Sequence, residues 1–233
     1  MATALAAQLS EKVRSASIRR DPFAHIVIED IFPSDFYAEL RSRLPIDEFY
    51  RRFKDSGRVT DTYSPHRWAF APAQLDQLSG EARAFWAYLF EDVTSNEFTA
   101  AIVDKFGADL KFGETDGDVR IATETCLMRD QTGYELGPHT DSPAKLVSLL
   151  FYLAPDDTHP ELGTSLYLPR DRGFFCPGGP HHPFEWFDLV ETVPYRPNSM
   201  MAFAKSERSF HGVEPVADTS LHRDLLFVDL RRV

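Results

Sequence analysis

From residue 119 to the C-terminus the chain is cut into short β-rich runs separated by Gly, Pro and Asp, and that rhythm limits what it can fold into. The runs fall at 119–128, 134–139, 146–153, 164–168, 189–193, 199–204, 209–213 and 225–230. Many short strands with turn residues between them close into a barrel or a sandwich. The first half has a different texture. Leu5, Leu9 and Val13 recur at helical spacing. Asp21-Pro22 breaks that pattern, and His25-Ile26-Val27-Ile28 reads as a strand. Ser34 is placed to cap a helix with Phe36, Leu40 and Leu44 on one face. Residues 48–72 are polar, aromatic and irregular; helices are predicted over 74–89 and 95–106. The expectation is one α+β domain over 1–233, mainly helical over 1–118, with the β core at 119–233 and the helices packed outside it. The stretch 169–187 is rich in Pro, Gly and aromatics and reads equally as a lid or as an ordered excursion.

Composition excludes several function classes. The net charge is −11 and the pI about 5.2, which argues against nucleic acid and against an anionic membrane surface as partners. No stretch approaches the length of apolar chain needed to span a bilayer. Glu11 in the first helix speaks against a transit peptide, so a cytoplasmic protein is expected. Cys126 and Cys176 are the only cysteines and are expected to be reduced thiols.

Chemistry concentrates at His139-Thr140-Asp141. Residues i and i+2 of a strand share a face, so His139 and Asp141 are able to aim at one point. A third ligand is expected from His211, inside a later run, with Gly212 leaving room beside it. Two imidazoles and one carboxylate hold one face of Fe(II) and leave the opposite positions open. Zinc is the main alternative, although no HExxH-like helix is present to supply a hydrolase's base. Arg223 follows twelve residues after His211 and is suited to planar, bidentate recognition of a carboxylate. His222, by alternation, should face the other side of its strand; His181 and His182, in the Pro/Gly stretch, are candidates to contact substrate.

The strings GYELGPHTDSPAKLVSLLFYLAPD, ELGTSLYLP and SFHGVEPVADTSLHRDLLFVDL resemble the Fe(II)/2-oxoglutarate-dependent dioxygenase superfamily, in its prolyl-4-hydroxylase-like branch. The resemblance runs from about residue 123 to residue 230. It implies a double-stranded β-helix, a jelly-roll barrel. It implies iron on His139, Asp141 and His211, with 2-oxoglutarate chelating the metal and its distal carboxylate on Arg223. Tyr152 sits where that branch places a tyrosine on the same carboxylate, and Ser148 where relatives often have threonine. One departure is plain: relatives often read Arg-Tyr where this chain reads Arg129-Asp130.

The implied activity is hydroxylation of a small molecule, an amino acid or a specialised metabolite, with consumption of O2 and release of succinate and CO2. Asp141 supplies a carboxylate, which speaks against the halogenase variant. The alternatives are a prolyl-type hydroxylase of peptides or proteins, and a non-enzymatic ligand-binding jelly roll. Arg67, Arg129 and Lys145 are candidates to bind an acidic group of the substrate, and Trp186, with Tyr63, Trp68 and Phe70, to wall its pocket.

Overall fold

The computed structural model describes residues 4–57, 63–110, 120–216 and 222–233. The chain opens with helix α1 (Ala4–Ser15), strand β1 (His25–Ile28) and helix α2 (Ser34–Ser42). Two short strands, β2 (Arg51–Arg52) and β3 (Arg67–Phe70), precede helices α3 (Gly80–Val93) and α4 (Asn96–Phe106). The strand-rich half supplies β4 (Ile121–Asp130), β5 (Leu136–His139), β6 (Lys145–Tyr152), β7 (Thr164–Pro169), β8 (Phe187–Val193), β9 (Ser199–Ala204), β10 (His211–Val213) and β11 (Arg223–Arg232). Each run read from the sequence in this half is present as a strand. The expected boundary between residues 118 and 119 touches residues outside those described.

Two antiparallel sheets result. The larger has the order β1-β9-β6-β11-β4-β3-β2, the smaller β5-β10-β7-β8. Mixed helices and facing antiparallel sheets of this kind make an α+β protein with a jelly-roll core.

Side-chain parity sets the layers. On β6, Val147, Leu149 and Phe151 point outward and pack with α1, α3 and α4 through Leu9, Val13, Trp86, Phe98 and Ile102. On β11 the same outward face carries Leu226, Val228 and Leu230. The opposite parity fills the space between the sheets: Cys126 and Met128 of β4, Tyr152 of β6 and Leu225 of β11 meet Leu166, Val193 and Val213 of the smaller sheet. The bulky aromatic composition is spent here, with Phe32 stacked on Phe151 at 5.4 Å between centroids. Helices therefore cover the outer face of the larger sheet, as expected, and the smaller sheet covers its inner face.

Three local expectations change. Ser34 is already helical and makes no capping bond; Pro33 holds the cap position. The helix expected over 74–89 is instead a short 3-10 turn, Pro72–Gln77, followed by α3. Gly80, at φ 53°, makes the break, a conformation that costs glycine nothing. The irregular 48–72 stretch contains β2 and β3, which extend the larger sheet beyond β4. Cys126 and Cys176 are both buried, and no disulfide joins them. No helix among the described residues is long and apolar enough to cross a membrane.

Candidate metal centre

His139 ends β5 and His211 begins β10, and the two are direct cross-strand partners. Their rings lie 4.3 Å apart, centroid to centroid. Asp141 follows in the turn between β5 and β6. Potential ligand atoms of His139, Asp141 and His211 all lie within 4.8 Å of one another. The sequence spacing therefore does bring the three together, and all three are buried.

The imidazoles are held in one orientation by the backbone. His139 Nδ1 lies 3.0 Å from the Gly137 carbonyl, and His211 Nδ1 lies 3.0 Å from the Ser209 carbonyl. A proton donated from each Nδ1 leaves each Nε2 with a lone pair for a metal. Burial pushes both rings below the ordinary histidine pKa, and for His139 the neighbouring His211 adds to the effect; both are neutral. The carboxylate is anchored as firmly: Lys145 Nζ donates to Asp141 Oδ1 at 2.8 Å, and Ser148 Oγ to Oδ2 at 2.7 Å. Burial works to raise the Asp141 carboxyl, but the charge and hydrogen bond of Lys145 pull it well below the usual carboxylate range. Two neutral nitrogens and one ionised oxygen are the protonation states a divalent cation requires. The residues present thus fit a mononuclear metal with open positions.

The triad opens into a cavity of about 980 Å³ between the two sheets. Arg223 reaches its wall from β11, almost wholly buried. Its Nη1 donates to Asp130 Oδ2 at 2.7 Å, its Nε donates to the Leu162 carbonyl, and Thr164 lies beside Nη2. Ser148 also lines the cavity, but its hydroxyl is spent on Asp141. Tyr152 is fully buried and does not line the cavity; it packs edge-on against Tyr195 and near Arg223 and Thr164, where burial raises its hydroxyl pKa.

The residues expected to touch substrate divide. Arg67 and Lys145 line the cavity, as does Tyr63. Lys145 is paired with Asp141 and, at 3.6 Å, with Asp229. Arg129 does not reach the cavity. Residues 126, 128 and 130 of β4 point between the sheets, so Arg129 points to the other side, where it binds Asp224 at 2.7 Å and Asp47. His222 lies near that same Asp47, as alternation required. Trp186 is 51% exposed and lies outside the cavity, with its ring over His182 and edge-on to Phe174. Trp68 stacks with Arg52, and Phe70 belongs to the helix-side core.

Residues 170–186 form an ordered wall. Thr140 Oγ1 donates to the Cys176 carbonyl at 2.8 Å, and the His182 amide donates to the Pro138 carbonyl at 2.9 Å. Its Phe174 packs on Phe187 and Phe210 beneath it. At Gly178, φ is 134° and a Cβ would stand 2.4 Å from the Asp141 carbonyl, so only glycine lets the wall lie against the metal-binding turn. His181 is thereby placed 4.7 Å from His139, ring to ring, and lines the cavity. Asp229, Arg231, Phe53 and Phe227 also line it without having been singled out in the sequence. On β11 the parity of Arg223 was enough to point to Asp229 and Phe227.

Neither a protein-family model nor a curated protein matches the chain. Solved structures do match in fold. A prolyl hydroxylase from Trichoplax adhaerens, in complex with a hypoxia-inducible-factor peptide fragment, superposes with a TM-score of 0.56 at 14% identity, covering 97% of this chain and 89% of that one. The epimerase SnoN, in complex with Fe3+, alpha ketoglutarate and nogalamycin RO, gives 0.54 at 17% identity over 98% and 84%. A Pseudomonas putida prolyl-4-hydroxylase gives 0.53 at 15% identity over 98% and 100%. The chain is therefore similar in fold to structures of these three kinds.

Proposed function

We propose that this protein is an Fe(II)- and 2-oxoglutarate-dependent dioxygenase, with a double-stranded β-helix core of the prolyl-4-hydroxylase-like type, that hydroxylates a small molecule. The observation that carries the reading is the convergence of His139, Asp141 and His211 on one point of a cavity whose wall also holds Arg223. The fold it shares with an epimerase solved with Fe3+ and alpha ketoglutarate supports it. His139 Nε2, one Asp141 oxygen and His211 Nε2 would hold the iron. When bound, iron with 2-oxoglutarate supplies the oxidising power that couples O2 to C–H hydroxylation, with succinate and CO2 released.

The chain's own residues position and shield. Arg223 binds the distal carboxylate of the co-substrate by charge-assisted hydrogen bonds, and Thr164 lies beside it on the cavity wall. Lys145 and Ser148 fix the plane of Asp141, so that the carboxylate offers one oxygen in a set direction. The neutral rings of His139 and His211 need shed no proton when metal binds. The 170–186 wall keeps bulk water from one side of the site and brings His181 to where substrate would lie. A cavity of about 980 Å³ has room for a co-substrate and a compact second molecule. The ordered wall, bonded to Thr140 and Pro138, favours such a molecule over an extended peptide.

The test is succinate release under Fe(II), screened across amino acids, small metabolites and peptides. Stimulation by a small molecule is expected, and stimulation by peptides alone would establish the peptide-hydroxylase reading instead. His139→Ala or His211→Ala should abolish turnover and weaken metal binding, whereas Arg223→Ala should chiefly raise the 2-oxoglutarate concentration required. Normal 2-oxoglutarate binding in Arg223→Ala would overturn the co-substrate assignment.

A further inference from the structure

The inner face of the larger sheet carries a row of charges that Arg223 alone does not explain. Arg67 on β3, Asp130 on β4 and Arg223 on β11 are direct cross-strand partners. Asp130 is fully buried. It accepts from Arg67 Nε at 2.6 Å and Nη2 at 2.7 Å, a bidentate fork, and from Arg223 Nη1 at 2.7 Å. Both arginines line the cavity and Asp130 does not, so the acid stands behind the two guanidiniums. The Tyr134 ring lies 4.3 Å from the Arg67 guanidinium carbon, and Tyr63 Oη accepts from Arg67 Nη1 at 3.1 Å. The row is thus clamped from the back and sides and open toward the cavity.

Its charge does not balance. Two guanidiniums against one carboxylate leave one positive charge in a water-poor place, among the described residues. Such a charge is costly without a counter-ion. The other cavity acids are engaged elsewhere: Asp141 with Lys145 and Ser148, Asp229 with Arg231 and Lys145. A guanidinium has five N–H donors, and among the described residues Arg67 uses three, leaving two. The deficit is one anion, of a shape that a planar fork recognises.

We infer that Arg67 and Arg223 together receive the distal carboxylate of the co-substrate, with Asp130 as the strut that holds the two guanidiniums side by side. This rests on the 2-oxoglutarate reading above. It moves Arg67 from the substrate end of the cavity to the co-substrate end. It also gives Asp130 a use: the acid that departs from the Arg-Tyr pattern allows a second arginine to be buried beside the first. Strand β3, outside the strand-rich half, thereby becomes part of the anion site.

The experiment uses the full chain loaded with Ni(II), and titrates 2-oxoglutarate and pyruvate by calorimetry. Pyruvate keeps the 2-oxo acid end and lacks the distal carboxylate. Arg67→Met is expected to weaken 2-oxoglutarate by about tenfold or more, the loss of one charge-assisted contact, and to leave pyruvate within about twofold. Arg67→Lys keeps the charge without the fork and should fall between, again only for 2-oxoglutarate. It carries the test should the methionine variant fail to fold. Unchanged 2-oxoglutarate affinity, or equal weakening of both acids, would overturn the inference, the second result marking Arg67 as structural only. Failure of the unsubstituted Ni(II) protein to bind either acid would instead remove the function proposed above.

Discussion

At the scale of single residues, the least replaceable features of the site are the contacts that aim its ligands. Ser148 and Lys145 hold the two oxygens of Asp141, and backbone carbonyls hold the Nδ1 edges of both histidines. Ser148→Ala frees one carboxylate oxygen and is expected to weaken metal binding by roughly 10- to 100-fold, the usual effect of losing such a support. Competition against a chromogenic chelator measures it; unaltered affinity would mean that Lys145 and the turn fix Asp141 without Ser148. The triad was legible because its pattern is simple: an i, i+2 pair at a strand end and one later histidine within a β-rich run, with arginine following. Arg129 was misread because it neighbours Asp130 at the end of β4. Two successive charges there hide the alternation, and its partners Asp47 and Asp224 are far along the chain.

The strand-rich half was readable element by element, since turns of Gly, Pro and Asp bracket each apolar run. β2 and β3 were not. They are two and four residues long, and β3 shows no two-residue alternation of buried and exposed positions. Only pairing with β4 reveals it. The 170–186 wall was equally open to two readings, because the sequence does not show that Thr140 and Pro138 bind it. Gly178 is the element's tightest point. Gly178→Ala should cost about 1–3 kcal/mol through backbone strain, and more as the wall is pushed from the Asp141 carbonyl. The expected outcome is a lower melting temperature together with faster proteolytic cleavage within 170–186. A change in melting temperature alone would show that the wall stays docked.

Across the whole molecule, the larger sheet is shared by two cores, one against the helices and one against the smaller sheet. Phe151, fully buried on the helix side and stacked on Phe32, tests the first. Phe151→Ala should cost about 3–5 kcal/mol in urea unfolding while leaving metal affinity within about twofold, because its side chain points away from the cavity. The second core answers to metal. Ni(II) at a hundred times its dissociation constant should stabilise the protein by about 2.7 kcal/mol, and His211→Ala should remove that gain. The overall class was legible from texture. The depth of the helix layer was not, since it depends on which parity of each strand faces outward.

The direct opposition of His139 and His211 has an evolutionary corollary. Coordination here is written in odd and even rather than in distance. Removing one residue between Ser209 and His211 would flip the second imidazole through the sheet while leaving hydrogen-bonded pairing possible. The count of residues leading into this one rung is therefore fixed by parity.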